Sequence, residues 1–201
     1  MSDLKDIKVK RVAKSFGTKC VLDGYSAVFP AGRITCLMGE SGCGKTTLLN
    51  LILRLTKPDG GEISGVPDKL AAVFQENRLC DDFSALTNVR IIGASVENAR
   101  ETLIALGLGD SLSRPVRELS GGMKRRVAIA RALCADCELM VMDEPFKGLD
   151  DVTRRHCIDE VRSRMGGRTA IVVTHDREDA DMLGAEIITM PSGGCGGNAA
   201  K

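Results

Sequence analysis

Residues 39 to 46 read Gly39-Glu40-Ser41-Gly42-Cys43-Gly44-Lys45-Thr46, a GxxxxGK[ST] pattern. Glycines at this spacing let a loop wrap closely and turn its backbone N–H groups inward onto an anion. A following helix would add the positive end of its dipole. In such a cradle Ser41, Cys43 and Thr47 belong to the wall. Lys45 reaches the β- and γ-phosphates of a nucleotide, and the Thr46 hydroxyl is a ligand for Mg²⁺. A second group is Asp143-Glu144, two carboxylates at the end of the apolar run Leu139-Met140-Val141-Met142. Beside a phosphate loop, the first acid of such a pair holds Mg²⁺, often through water, and the second polarises an attacking water. A third is Leu119-Ser120-Gly121-Gly122-Met123, where a capping hydroxyl and two glycines open a helix and make another anion site.

Each group needs an element to hold it. Ile34 to Met38 is short and apolar, as a buried strand is, and leads into the phosphate loop. Beyond the loop, Thr47 to Leu55 places Leu48, Leu51 or Ile52, and Leu55 on one helical face. Upstream, Ile7 to Phe16 alternates loosely, and Cys20 to Leu22 and Tyr25 to Phe29 read as further short strands. Pro58-Asp59-Gly60-Gly61 is a turn before a short strand at Glu62-Ile63. Leu70 to Phe74 is a strand ending at Gln75. From Glu76 to Pro115 strand patterns give way to a helical repeat, a helical insertion. Ser120 to Ala135 and Asp150 to Met165 are helices, and Leu139 to Met142, Ala170 to Val173 and Ile187 to Met190 are strands. Strands alternating with helices predict a parallel α/β core with helices on both faces. Residues 191–201, rich in glycine, are expected to form a flexible tail.

With 28 basic against 27 acidic residues, no global positive field marks nucleic acid as a partner. The first residues are charged, unlike a signal peptide. Several of the eight cysteines fall inside apolar runs, as small buried hydrophobes do in a reducing compartment. Cys134 and Cys137 form a CxxC without a second pair at metal spacing. No apolar stretch approaches the roughly 18 residues needed to cross a bilayer, so spans would come from another chain.

Taken together, the phosphate loop, Leu119-Ser120-Gly121-Gly122-Met123 and Met142-Asp143-Glu144-Pro145 resemble the motif set of ABC-type ATPases, in that family's order and over about residues 7 to 190. The resemblance implies an α/β fold: a P-loop NTPase (RecA-like) core with a mostly parallel sheet, an N-terminal antiparallel β region and a small helical subdomain. It implies one ATPase domain over residues 1–190, with the subdomain at about 76–135. Phe16 matches the aromatic that stacks on adenine. Gln75 matches the glutamine that links Mg²⁺ and water to the helical subdomain. Glu144 matches the catalytic glutamate, and His175 the histidine that contacts the γ-phosphate. Asp150 matches the loop that crosses to a partner subunit. Two subunits would pair head to tail, so that residues 39–46 of one and 119–123 of the other enclose each ATP. Met123 departs from the family's usual glutamine. Either an amide contact near the nucleotide is lost there, or Met123 packs as ordinary core.

Only residues 47 to 119 separate the phosphate loop from Ser120, without sustained heptads, which sets aside the coiled-coil types that act on DNA. What remains is a cytoplasmic subunit, peripheral on the inner face of the membrane. Its partners would be a second copy or a homologous ATPase subunit, and integral membrane permease subunits. Phe74 to Leu79 and Asp143 to Asp150 look most like bacterial importers of the nitrate, sulfonate and taurine group. The alternative is a non-transport or regulatory ABC ATPase, of the lipoprotein-release or cell-division type.

Overall fold

The structure is a computed structural model and describes residues 4–191. Residues 192–201 of the expected tail lie outside the described residues. Five strands form one wholly parallel sheet: β3 (Ile34–Met38), β5 (Leu70–Val73), β6 (Leu139–Asp143), β7 (Thr169–Val173) and β8 (Glu186–Thr189), in the order β5-β6-β7-β3-β8. β6 and β7 are buried at every position, as uninterrupted apolar strands covered on both faces must be. An antiparallel sheet of β1 (Ile7–Phe16), β2 (Lys19–Phe29) and β4 (Gly60–Ser64) has the order β2-β1-β4.

The period-two alternation of strands divides the apolar side chains between two layers. Leu139, Val141, Ile171 and Val173 pack with Leu37, the antiparallel sheet and α1 (Lys45–Ile52). Met140, Met142, Ala170 and Val172 face the other way, onto the remaining helices. Those are α2 (Ala85–Arg90), α3 (Val96–Ala105), α4 (Gly121–Leu133), α5 (Asp151–Ser163) and α6 (Arg177–Leu183). Between residues 76 and 135 helices dominate, and the only pairing of strand type is a single bridge, Ser84 to Pro115.

The structure departs from the sequence expectations in three places. The two short strands expected near 20–22 and 25–29 are one continuous β2. The irregularity lies instead in its pairing with β1, through register shifts between Val9 and Ser15 that leave extra residues on both strands. The first helix starts at Lys45 and stops at Ile52, because Arg54 takes a positive φ of 58° and turns the chain, leaving Leu55 exposed. Helix α6 has no counterpart among the expected elements. Its seven residues are too few for a clear helical period.

Register then decides where the chemistry gathers. Val173 pairs with Leu37 on one side and Asp143 on the other. The loops that follow β3, β6 and β7 therefore emerge together at the carboxyl edge of the sheet, where open α/β sheets bind ligands.

Candidate functional site at the carboxyl edge of the parallel sheet

The loop between β3 and α1 is tight for stated reasons. Gly39 has φ +154°, and a Cβ there would lie 2.8 Å from the Met190 carbonyl oxygen and 2.9 Å from the Cys43 sulfur. Gly44, the N-cap of α1, has φ +104°, and a Cβ would meet Leu22 at 2.8 Å. Lys45 is buried, and its Nζ donates to the carbonyls of Gly39 and Glu40, each at 2.8 Å. The Thr46 hydroxyl donates to Asp143 Oδ2 at 2.7 Å, joining the two strand ends across 97 residues of sequence.

Asp143 is buried. Burial pushes its carboxyl above the ordinary value, and adjacent Glu144 adds to this, against the Thr46 bond and the charges of Lys45 and Arg125. Glu144 adopts φ +46°, a left-handed conformation that costs a non-glycine residue about 1–3 kcal/mol. Its backbone N–H donates to the Val173 carbonyl at 3.0 Å, which holds the turn against β7. His175 Nε2 lies 2.8 Å from Glu144 Oε1, and Lys147 Nζ lies 2.7 Å from Oε2. Burial would raise the Glu144 carboxyl, but Lys147 and His175 together outweigh it and hold the group below its usual range.

One cleft brings together Phe16, Ser41, Gly42, Gly44, Lys45, Thr46, Thr47, Gln75, Asp143, Glu144 and His175. Phe16 is 54% exposed at its rim, with the Lys14 ammonium 5.5 Å from the ring centroid. Gly39 and Cys43 belong to the loop but do not line the cleft. Nor do Ser120, Gly121, Gly122 and Asp150. Ser120 caps α4, accepting from the Met123 N–H at 3.3 Å, and Asp150 caps α5, accepting from the Thr153 N–H at 3.0 Å. Both caps are exposed.

Residues 22–147 match the family model described as ABC transporter. The chain belongs to the ABC transporter family. Over 194 residues this ABC chain is 38% identical to the aliphatic sulfonates import ATP-binding protein SsuB 3 of Rhodococcus jostii, with 94% of this chain and 72% of that protein covered. It is 32% identical to the bicarbonate transport ATP-binding protein CmpD of Synechococcus elongatus, over 92% of this chain and 75% of that one. The dimeric cassette MJ0796 has the same fold, with a TM-score of 0.82 and 30% identity over 92% of this chain and 94% of that chain. That cassette has also been solved in a post-hydrolysis state with ADP and Pi. The ABC chain is accordingly an ATP-binding subunit and an ATPase.

Several residues around the ABC site were not anticipated from the sequence. Lys147 is one, although its place three residues after Glu144 is a readable signal. Arg125 is another. Its buried guanidinium donates to the carbonyls of Phe74 at 2.6 Å and Gln75 at 2.8 Å, joining α4 to the segment that carries Gln75. Arg131 continues the seam, with a bond to the Arg78 carbonyl at 3.0 Å. Arg154 on α5 gathers Asp176 and Asp179 at 2.7 and 2.6 Å and so ties the His175 loop to α5. No local pattern marks the bonds of Arg125 to the Gln75 segment or of Arg154 to the His175 loop, because those partners lie more than twenty residues away.

Proposed function

We propose that this ATPase drives solute import across a membrane, hydrolysing ATP between two chains paired head to tail. The carrying observation is that the cleft is complete on one side only. Phosphate loop, carboxylates and histidine line it, while Ser120, Gly121 and the Asp150 cap stand exposed elsewhere. A second copy, or a homologous subunit, would bring its Ser120 segment over the phosphates. The Rhodococcus relative is named for sulfonate import and the Synechococcus relative for bicarbonate transport, which favours import here. We take residues 1–190 as one domain, with 76–135 as the subdomain that docks on integral membrane permease subunits. No helix among the described residues is long and apolar enough to cross a membrane, in keeping with a peripheral place on the cytoplasmic face.

The residues present fit Mg²⁺. Thr46 and Asp143 face each other at 2.7 Å in the cleft beside Gln75, and no cluster of three metal-binding side chains occurs among the described residues. A few protein oxygens, completed by phosphates and water, are what this ion takes, rather than an all-protein cage. When bound, Mg²⁺ supplies positive charge against the phosphate oxygens. Lys45 exchanges its two loop carbonyls for phosphate oxygens, and the loop N–H groups bind the rest. Phe16 stacks on the adenine. Glu144 takes the proton of the attacking water as the bond from the γ-phosphorus to ADP breaks, and His175 orients its carboxylate.

Glu144→Gln tests this reading. The amide cannot accept the proton, while the phosphate contacts survive. Hydrolysis should nearly vanish, and size-exclusion chromatography should show a shift from monomer to dimer on adding ATP. A variant that is inactive yet monomeric at saturating ATP overturns the two-chain site.

A further inference from the structure

We propose that Lys147 is a positioning residue that restrains Glu144 and slows the chemical step. The inference rests on the reading of Glu144 as the base.

Local sequence places the lysine there. Glu144-Pro145-Phe146-Lys147 is a turn with proline at its second position, closed by the Lys147 N–H to the Glu144 carbonyl at 3.3 Å. A turn of this length folds residue i+3 back over residue i. The Lys147 ammonium so comes to lie 2.7 Å from Glu144 Oε2 while His175 occupies Oε1. Both carboxylate oxygens are engaged by protein groups.

The energetics set the sign. The attraction between ammonium and carboxylate is full while Glu144 is ionised and falls away once it has taken a proton from water. An interaction that is stronger in the ground state than in the transition state slows the reaction. Lys147 also has somewhere to go. It lines the phosphate cleft and a neighbouring cavity that holds Asp151, Asp176 and Asp179, and it is followed by Gly148, with open space around it. Its side chain is 63% exposed, so solvent weakens the pair, and the restraint belongs at the modest end for ion pairs.

Steady-state hydrolysis of MgATP by the full chain, at protein concentrations where it is paired, tests the assignment. Lys147→Met should raise kcat about 1.5- to 5-fold with KM for ATP unchanged, the range expected of a solvent-screened pair. Lys147→Arg, which keeps a cation at that oxygen, should give back the slow rate. Combined with Glu144→Gln, the methionine should bring no gain, because the restraint acts only through the carboxylate. A Lys147→Met kcat at or below wild type overturns the proposal, as does an equal gain in the Glu144→Gln background. Wild-type hydrolysis by Glu144→Gln alone would instead remove Glu144 as the base, a separate failure.

Discussion

Met123 shows how burial bears on a question that residue type leaves open. At the third helical position after the Ser120 cap, an amide side chain and a thioether differ mainly in hydrogen bonding, which methionine scarcely offers. In the structure Met123 is half-buried and packs against the core beneath the helical insertion. Placing a polar amide in that contact costs about 1 kcal/mol if it finds no partner. Met123→Gln should therefore lower the melting temperature and bring no gain in ATP turnover. Both are measured on the same preparation. Faster turnover at an unchanged melting temperature would show that the position faces the nucleotide instead.

At the scale of elements, the end of β1 carries Phe16 to the cleft, and a turn from another strand pair holds it there. Asp59, in the Pro58-Asp59-Gly60-Gly61 turn before β4, accepts from Lys14 Nζ at 2.7 Å and from the Ser15 N–H at 2.7 Å. The bond from Lys14, then that from Ser15, depresses the Asp59 carboxyl below its ordinary value. A depressed folded pKa means that the unfolded chain binds more protons over that window. The stabilisation is then present above the unfolded value, about 3.9, and is lost as pH falls through the folded one. Asp59→Asn should melt below wild type at pH 7, and the two curves should converge in acid. Thermal melts from pH 7 down to pH 3 check this, and a gap that persists undiminished in acid would mean that the charge is not the cause.

For the whole molecule, the exposed Ser120 cap and the one-sided cleft have a kinetic consequence. If each site needs two chains, ATPase activity per subunit must fall on dilution, because mass action removes the partner. A dilution series in MgATP should show specific activity rising with protein concentration towards a plateau. Constant activity per subunit in clearly monomeric protein rejects the shared site.

Much of this molecule was legible in its sequence because the decisive signals are local. A glycine-rich loop between an apolar strand and a helix, two acids ending a buried strand, and a serine before two glycines each need only a few neighbouring residues. Nucleotide binding and the family followed from them, and the parallel sheet from the alternation of strand and helix patterns. Helix α6 and the unbroken β2 were not legible, since a short helix lacks a full period and a ladder with bulges blurs alternation. The bond between Thr46 and Asp143 spans 97 residues, and Arg125 reaches carbonyls 50 and 51 residues away. Such contacts depend on strand order and register, which no local pattern encodes. By itself the sequence determined which side chains could handle a nucleotide. Only the tertiary structure decided which of them share a cleft, that Ser120 and Asp150 stand outside it, and that His175 meets the carboxylate of Glu144, because those relations arise when β3, β6 and β7 end side by side.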